Sequence, residues 1–231
     1  QIFQKTVSET VNTFGLNPRY TFTNFIVGKG CELAHAACQA IITQLGKAYN
    51  PLFIYGGSGL GKTHLLQAVG NIILQQDRQK KVVYATCEKF TNDFIHSVRS
   101  GQIKNFYDIY RKADLLLIDD IQFITGKAET QEAFFNTFND LHQQDKQIMI
   151  TSDRPPKAIS LLENRLLSRF EMGMIADVTP PDFETRMAIL QTKCHEKCLP
   201  LEKEALDFIA NSIQNNVREL EGALNKLQAY H

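Results

Sequence analysis

Apolar residues fall into two rhythms along this chain. Five short and nearly continuous runs, LFIY at 52–55, VVYA at 82–85, LLLI at 115–118, QIMI at 147–150 and MIADV at 174–178, have the length and aliphatic character of buried strands. Between them apolar positions recur at helical spacing: Leu33, Ala36, Ala37, Ala40 and Ile41, then Phe134, Phe135, Phe138 and Leu141. Strands so apolar need cover on both faces, and this alternation of strand and helix predicts a parallel five-stranded α/β sheet flanked by helices. Between the second and third strands an ordinary crossover needs one helix. Here Phe90, Phe94, Ile95 and Val98 form one series and Ile103, Phe106, Tyr107 and Tyr110 a second, split by Ser100-Gly101, so residues 88–112 predict an inserted pair. Beyond Pro180-Pro181, three amphipathic series predict a small helical lid over 182–231: Phe183, Met187, Leu190 and Cys194; Leu206, Ile209 and Ile213; Val217, Leu220, Leu224 and Leu227. Residues 1–16 are polar and weakly periodic and predict a linker remnant before an α/β domain over 17–178.

The first apolar run ends in GGSGLG and is followed at once by Lys62-Thr63-His64 and a helical segment. A triphosphate needs backbone N–H donors on several sides, and only glycine lets a backbone curl so tightly. Gly56, Gly57, Ser58, Gly59 and Gly61 therefore predict a phosphate cradle that ends at a helix N-terminus, where free N–H groups and the macrodipole favour anions. Lys62 would add a point charge and the Thr63 hydroxyl a ligand for Mg²⁺, with His64 beside them. Glycine-rich turns without phosphate exist, but the full G-x-x-x-x-G-K-T spacing between strand and helix predicts ATP or ADP binding.

The third strand reinforces that expectation, because it ends in Asp119-Asp120 about 55 residues beyond the cradle. Ligands of parallel sheets sit at the carboxyl ends of the strands, so Asp119 is placed to hold Mg²⁺ and Asp120 to polarise an attacking water. At the tip of the fourth strand, Ser152 or Asp153 can reach the γ-phosphate, or can cap the turn before Pro155-Pro156. Phe25, Ile26 and Val27 precede the first strand and are candidates either for the base pocket or for packing on the sheet edge. Arg165 and Arg169 are four apart on one helix face, so they can lend charge to a neighbouring subunit's nucleotide or form a salt bridge within the chain. Arg218 lies in the first turn of the last helix, where a cation opposes the macrodipole by roughly 0.3–1 kcal/mol. Reaching across to phosphate would account for it.

Composition narrows the partners. The 231 residues carry 25 Lys plus Arg and 25 Asp plus Glu, so net charge is zero. That argues against capture of nucleic acid by the whole surface and leaves a local basic strip. Five scattered cysteines fit reduced intracellular thiols, and Cys194-His195 with Cys198 lacks a second ligand pair at zinc spacing. No apolar run approaches the ~20 residues of a membrane span and the N-terminus lacks a signal pattern, which predicts a cytoplasmic protein.

Taken with the cradle, the strings NPRYTFTNFIVG, LLLIDDIQF, ITSDRPP and NVRELEGALN resemble the AAA+ module of the bacterial chromosomal replication initiator family, from about residue 17 to the C-terminus. The resemblance implies an AAA+ fold with a three-helix lid and weak, switch-like ATP hydrolysis. It also implies ATP-dependent head-to-tail assembly into a filament on origin DNA, with strand opening. By position, Arg165 resembles the arginine finger, Arg218 the lid arginine that senses the γ-phosphate, and Asp153 or Ser152 the strand-four sensor. The inserted helix pair resembles the initiator-specific insertion, and Ile95, His96 and Lys127 fall where the family contacts single-stranded DNA. Glu129 departs from the family by standing where a second basic residue is expected. Replicative helicase, regulatory factors and acidic membrane lipids are the further partners implied. Family members continue into a helix-turn-helix domain that reads duplex DNA, whereas this sequence stops at His231, as an excised domain or a short regulatory adaptor would. A helicase loader uses similar parts but should lack NVRELEGALN.

Overall fold

All five apolar runs form parallel strands, but their order across the sheet is not their order along the chain. The computed structural model describes residues 13–230. In sequence the elements are β1 (Thr13–Phe14), α1 (Glu32–Thr43), β2 (Leu52–Gly56), α2 (Lys62–Gln76), β3 (Val82–Thr86), α3 (Cys87–Arg99) and α4 (Ile103–Tyr110). There follow β4 (Leu115–Asp119), α5 (Ala128–Gln143), β5 (Gln147–Ser152), α6 (Asn164–Glu171), β6 (Met174–Val178), α7 (Phe183–Glu196), α8 (Lys203–Ser212) and α9 (Val217–Tyr230). The sheet order is β1-β3-β4-β5-β2-β6. β2, the strand that feeds the cradle, is flanked by β5 and β6, with β4 one strand further in. The carboxyl ends of β2, β4 and β5 therefore open on one edge, where such sheets bind ligands.

Alternation along the central strands divides the core. Leu116 and Ile118 of β4 face one layer with Phe53, Val83, Ile148 and Ile150, while Leu115 and Leu117 face the other with Leu52, Ile54, Val82 and Met149. Every residue of β4 is buried, so this strand has helices over both faces. The inserted pair α3 and α4 closes the first layer through aromatic contacts: Phe90 meets Phe106, Tyr110 and Phe134 edge to face at 5.1, 4.8 and 5.4 Å between centroids. The Thr86 hydroxyl caps α3 by accepting from the Lys89 N–H at 3.1 Å, and Gly101 turns the chain into α4 at φ +68°, a conformation that favours glycine.

One expectation is corrected at the N-terminus. Thr13 and Phe14 are no linker but a sixth strand, parallel to β3 opposite Val82 and Val83, and Leu16 packs on the second core layer. Two residues are too few to show an alternating pattern, and it is the open edge of β3 that recruits them. Residues 1–12 of the expected linker lie outside the described residues.

Helices α7, α8 and α9 enclose a third core of Met187, Leu190, Leu206, Ile209, Leu220 and Leu224. Asp182 caps α7 by accepting from the Thr185 N–H at 2.9 Å. Buried Arg186 fastens the bundle, donating from Nε to the Ala210 carbonyl at 2.8 Å and from Nη1 to the Pro181 carbonyl at 2.7 Å. Cys194 belongs to this core and Cys198 is exposed. Among the described residues, no helix is long and apolar enough to cross a membrane.

Candidate nucleotide site

The loop between β2 and α2 has the backbone that its glycines predict. Gly59 and Gly61 lie at φ +77° and +95°, and a Cβ on Gly59 would stand 1.9 Å from the Asn216 side-chain oxygen. A side chain at 59 would thus strain the backbone and push α9 off the loop. Gly61 precedes the first turn of α2 and leaves the N–H groups of that turn to face the cleft. Lys62 is buried, and its Nζ donates to the carbonyls of Gly56 and Gly57 at 2.7 and 2.8 Å. Burial pulls its ammonium below the ordinary lysine value, against the opposing pull of Asp120 and Asp119.

Asp119 is held by three hydroxyls. Thr63 donates to its Oδ2 at 2.8 Å and Tyr84 to the same oxygen at 3.0 Å, while Thr151 of β5 donates to Oδ1. A threonine hydroxyl against a carboxylate oxygen is a hard donor pair beside a phosphate cradle, and it fits Mg²⁺, which takes few protein ligands and fills its octahedron with phosphate and water. Asp120 is the next residue, in the left-handed conformation at φ 56° and ψ 53°, which turns its side chain away from that of Asp119 and into the cleft. Its carboxylate Oδ1 accepts from the Gln122 side-chain amide at 3.2 Å, and burial, with Asp119 adding to it, raises its pKa above the ordinary aspartate value.

Lys62, Thr63, Asp120, Asp153 and Arg218 line one cleft of about 340 Å³. The lid closes it directly, because the Val217 N–H donates to the Gly59 carbonyl at 3.1 Å and Arg218 Nη1 donates to the Ser58 hydroxyl at 3.5 Å. Asn216 caps α9 by accepting from the Arg218 N–H at 2.9 Å. A second, less polar recess continues from the first past Gly61 and His64, between Phe25, Ile26 and Leu60 on one side and Pro181, Ile189 and Val217 on the other. Its mainly apolar lining suits a flat heterocycle. A glycine cradle at a helix N-terminus with a buried lysine, a hydroxyl–carboxylate pair beside it and an adjoining apolar recess together can hold a nucleotide. A model of the bacterial DnaA ATPase domain matches residues 16–177.

The chain belongs to the DnaA family. It is 55% identical over 230 residues to the chromosomal replication initiator protein DnaA of Chloroflexus aurantiacus, across 100% of this chain and 48% of that protein. The chain therefore spans about half the length of the curated relatives it matches. Among solved structures, domain III of the Thermotoga maritima replication initiation protein DnaA superposes with a TM-score of 0.91 at 47% identity, covering 94% of this chain and 90% of that one. A replication initiator DnaA bound to AMPPCP and single-stranded DNA superposes at 0.87 and 41%, over 93% of this chain and 66% of that one.

The structure sorts the remaining candidates of this DnaA-family chain. Phe25 and Ile26 line the recess, whereas Val27 is 43% exposed and outside it. Alternation at the end of β5 separates Ser152 from Asp153. Ser152 ends β5 fully buried and accepts from the Arg154 N–H at 3.3 Å, capping the turn, while Asp153 lines the cleft and pairs with Arg154 at 2.7 Å. That pairing holds the Asp153 carboxyl below the ordinary range. Arg165 is exposed on α6, paired with Glu163 and lying 4.8 Å from the Phe135 ring centroid, so the intramolecular salt bridge is present on a side chain that is also open to a neighbour. Arg169 lies 5.8 Å from the same ring. Ile95 and His96 are exposed on α3, and Lys127 is exposed just before α5. Glu129 sits in the first turn of α5, where an acid favours the helix on its own.

Sequence reasoning missed Tyr84, Thr151 and Gln122, whereas Asn216 caps α9 as the Asn215-Asn216 pair ahead of that helix predicts. The register of β4 against β5 pairs Ile118 with Ile150, which sets Asp119 beside Thr151, and a lone polar residue closing an apolar strand was the available signal.

His64 packs among Tyr20 and Phe25 at 5.0 and 5.2 Å between centroids, and its Nε2 lies 2.7 Å from the Thr21 carbonyl oxygen. Burial holds its pKa below the ordinary 6.5. The unfolded chain therefore takes up this proton first as pH falls, and stability present above pH 6.5 is lost between 6.5 and the lower folded pKa. The urea midpoint of the wild type is expected to drop more between pH 7.5 and 5.5 than that of His64→Gln; equal drops would assign the loss to other groups.

Proposed function

We propose that this chain is the ATP-operated switch of a chromosomal replication initiator. What carries the reading is the convergence of Lys62, Thr63, Asp120, Asp153 and Arg218 on one cleft that the lid closes. Lys62 and the loop N–H groups hold the β- and γ-phosphates, and Thr63 with Asp119 would hold Mg²⁺, which would supply neutralising positive charge there. Asp120 orients and deprotonates the attacking water, Asp153 reads the γ-phosphate from β5, and Arg218 reads it from the lid. Phe25 and Ile26 take the base. Hydrolysis is slow because the constellation lacks a transition-state cation until a neighbour supplies Arg165, and its product, ADP, ends the active state.

ATP thereby favours head-to-tail assembly, and a heterologous contact that fails to close on itself generates a helical filament. Ile95, His96 and Lys127 would face a single strand of origin DNA along its channel, with stacking and charge contributing to the grip. The initiator reading also brings the replicative helicase, regulatory factors and acidic lipids as partners, in the cytoplasm. Identity of 55% and 59% to DnaA initiators over all or most of the chain supports this reading over the adaptor and helicase-loader alternatives.

Sizing by light scattering tests it. The protein is expected to remain monomeric with ADP and to grow into multimers with a non-hydrolysable ATP analogue, more so with single-stranded DNA. Arg165→Ala should keep ATP affinity within about twofold and lose at least tenfold in assembly. A wild-type chain that stays monomeric with saturating analogue and DNA would remove the filament reading, and an Arg165→Ala chain that assembles would move the finger to Arg169.

A further inference from the structure

We infer that Gln67 and Tyr84 are positioning residues through which the segment that enters the α/β domain at Asn17 sets the hold on Asp119. The inference rests on the reading of Thr63 and Asp119 as the pair that takes the divalent cation.

Thr63 and Tyr84 donate to the same carboxylate oxygen, Oδ2 of Asp119. Tyr84 stands on β3 opposite Leu117, so its side chain spans two residues of the neighbouring strand to get there. The entering segment fixes that reach. Gly15, at φ +80°, lies against the ring, where a Cβ would stand 3.3 Å from Tyr84 Cδ1. Leu16 packs over Gly70 of α2, where a Cβ would stand 3.1 Å from its methyl carbons. The backbone that follows is tied to one face of α2 by three polar side chains, at 64, 67 and 71. His64 Nε2 lies 2.7 Å from the Thr21 carbonyl oxygen, and Asn71 donates to the carbonyls of Asn17 and Tyr20 at 2.9 and 2.8 Å. Between them, Oε1 of Gln67 accepts from the Asn17 N–H at 2.7 Å. Gln67 is 4% exposed, and its amide adjoins the Tyr84 hydroxyl. A line of polar groups therefore runs from the Asn17 N–H through Gln67 and Tyr84 to the carboxylate, while residues 15–17 line neither the cleft nor the recess.

The two ends of an amide are opposite in kind, which gives the line a direction. With Asn17 seated, Oε1 has its donor and the phenol is left to donate to Asp119. When the segment lifts, Oε1 becomes a buried acceptor without a donor, a costly arrangement. Turning the amide over repairs it by bringing Oε1 to the Tyr84 O–H, and that proton is then lost to Asp119. A carboxylate released by its outer partner is no longer aimed and holds a cation less tightly. The seating of a segment outside the site thereby grades the grip within it.

The test reads the affinity of the ADP-loaded chain for Mn²⁺ by paramagnetic resonance, beside its affinity for ADP in EDTA. Tyr84→Phe keeps the ring and loses the hydroxyl; it is expected to bind Mn²⁺ roughly 10–100-fold more weakly, with ADP binding in EDTA moved by no more than about twofold. Asn17→Pro, which deletes the N–H, should weaken Mn²⁺ binding in the same way, whereas Asn17→Ala, which keeps it, should stay within about twofold of wild type. In a Tyr84→Phe chain, Asn17→Pro should add nothing further. Gln67→Leu should restore Mn²⁺ affinity to the Asn17→Pro chain, because no amide is left to take the phenol's proton; simple damage to the fold would be deepened by that second change. Wild-type Mn²⁺ affinity in Tyr84→Phe, equal losses in Asn17→Pro and Asn17→Ala, or no recovery with Gln67→Leu would overturn the inference. Asp119→Asn that holds Mn²⁺ as wild type does would instead bring down the reading of the cation pair, and this line with it.

Discussion

Lys62→Ala should lose ATP binding by roughly two to four powers of ten, since removing one partner of a buried, hydrogen-bonded charge pair costs about 3–5 kcal/mol. The geometry explains why no neighbour can substitute. Nζ is anchored on the carbonyls of Gly56 and Gly57 on the loop itself, so the ammonium stands inside the cradle and is already partly stripped of water. Charge held there acts on phosphate in a medium far less screening than bulk solvent. Arg218, the other cation lining the cleft, is exposed and comes from the lid, where it reaches the loop only at the Ser58 hydroxyl. Titration calorimetry decides the point, and micromolar affinity retained by the alanine variant would refute the cradle assignment.

Asp120→Asn should leave ATP affinity within a few-fold and reduce turnover by roughly 10²–10⁴, the usual span for losing a general base. Its raised pKa fixes the sign of the pH dependence. A carboxylate that must accept a proton is silenced by protonation, so turnover falls as pH drops through the Asp120 pKa, at a higher pH than an exposed aspartate would give. The asparagine variant should have lost that acid limb along with most of its rate. Full turnover by Asp120→Asn in a single-turnover assay would place the base elsewhere.

What could be read in the sequence and what could not divide along a physical line. The cradle, the acidic end of β4 and the inserted helix pair were legible because each is written in consecutive residues whose spacing is itself the chemistry. Two of the three hydroxyls around Asp119 were not, since Tyr84 and Thr151 come from strands that lie beside β4 only through the sheet order and register. Val27 and Ser152 were drawn in with their neighbours because a linear motif does not say which of its residues face the cleft. Strand β1 escaped altogether, two residues being too short for any period to register.

The bond from the Val217 N–H to the Gly59 carbonyl, with Asn216 seated where a side chain on Gly59 would stand, gives the cleft a latch made of its own backbone. A nucleotide in the cleft would be fenced in by that latch as well as gripped by its phosphates, so its dwell time is expected to follow how often that backbone bond opens. On the proposed reading, a factor that exchanges the nucleotide would have no need to compete for phosphate or base, since leverage on the outer surface of the last helix would be enough to open the cleft.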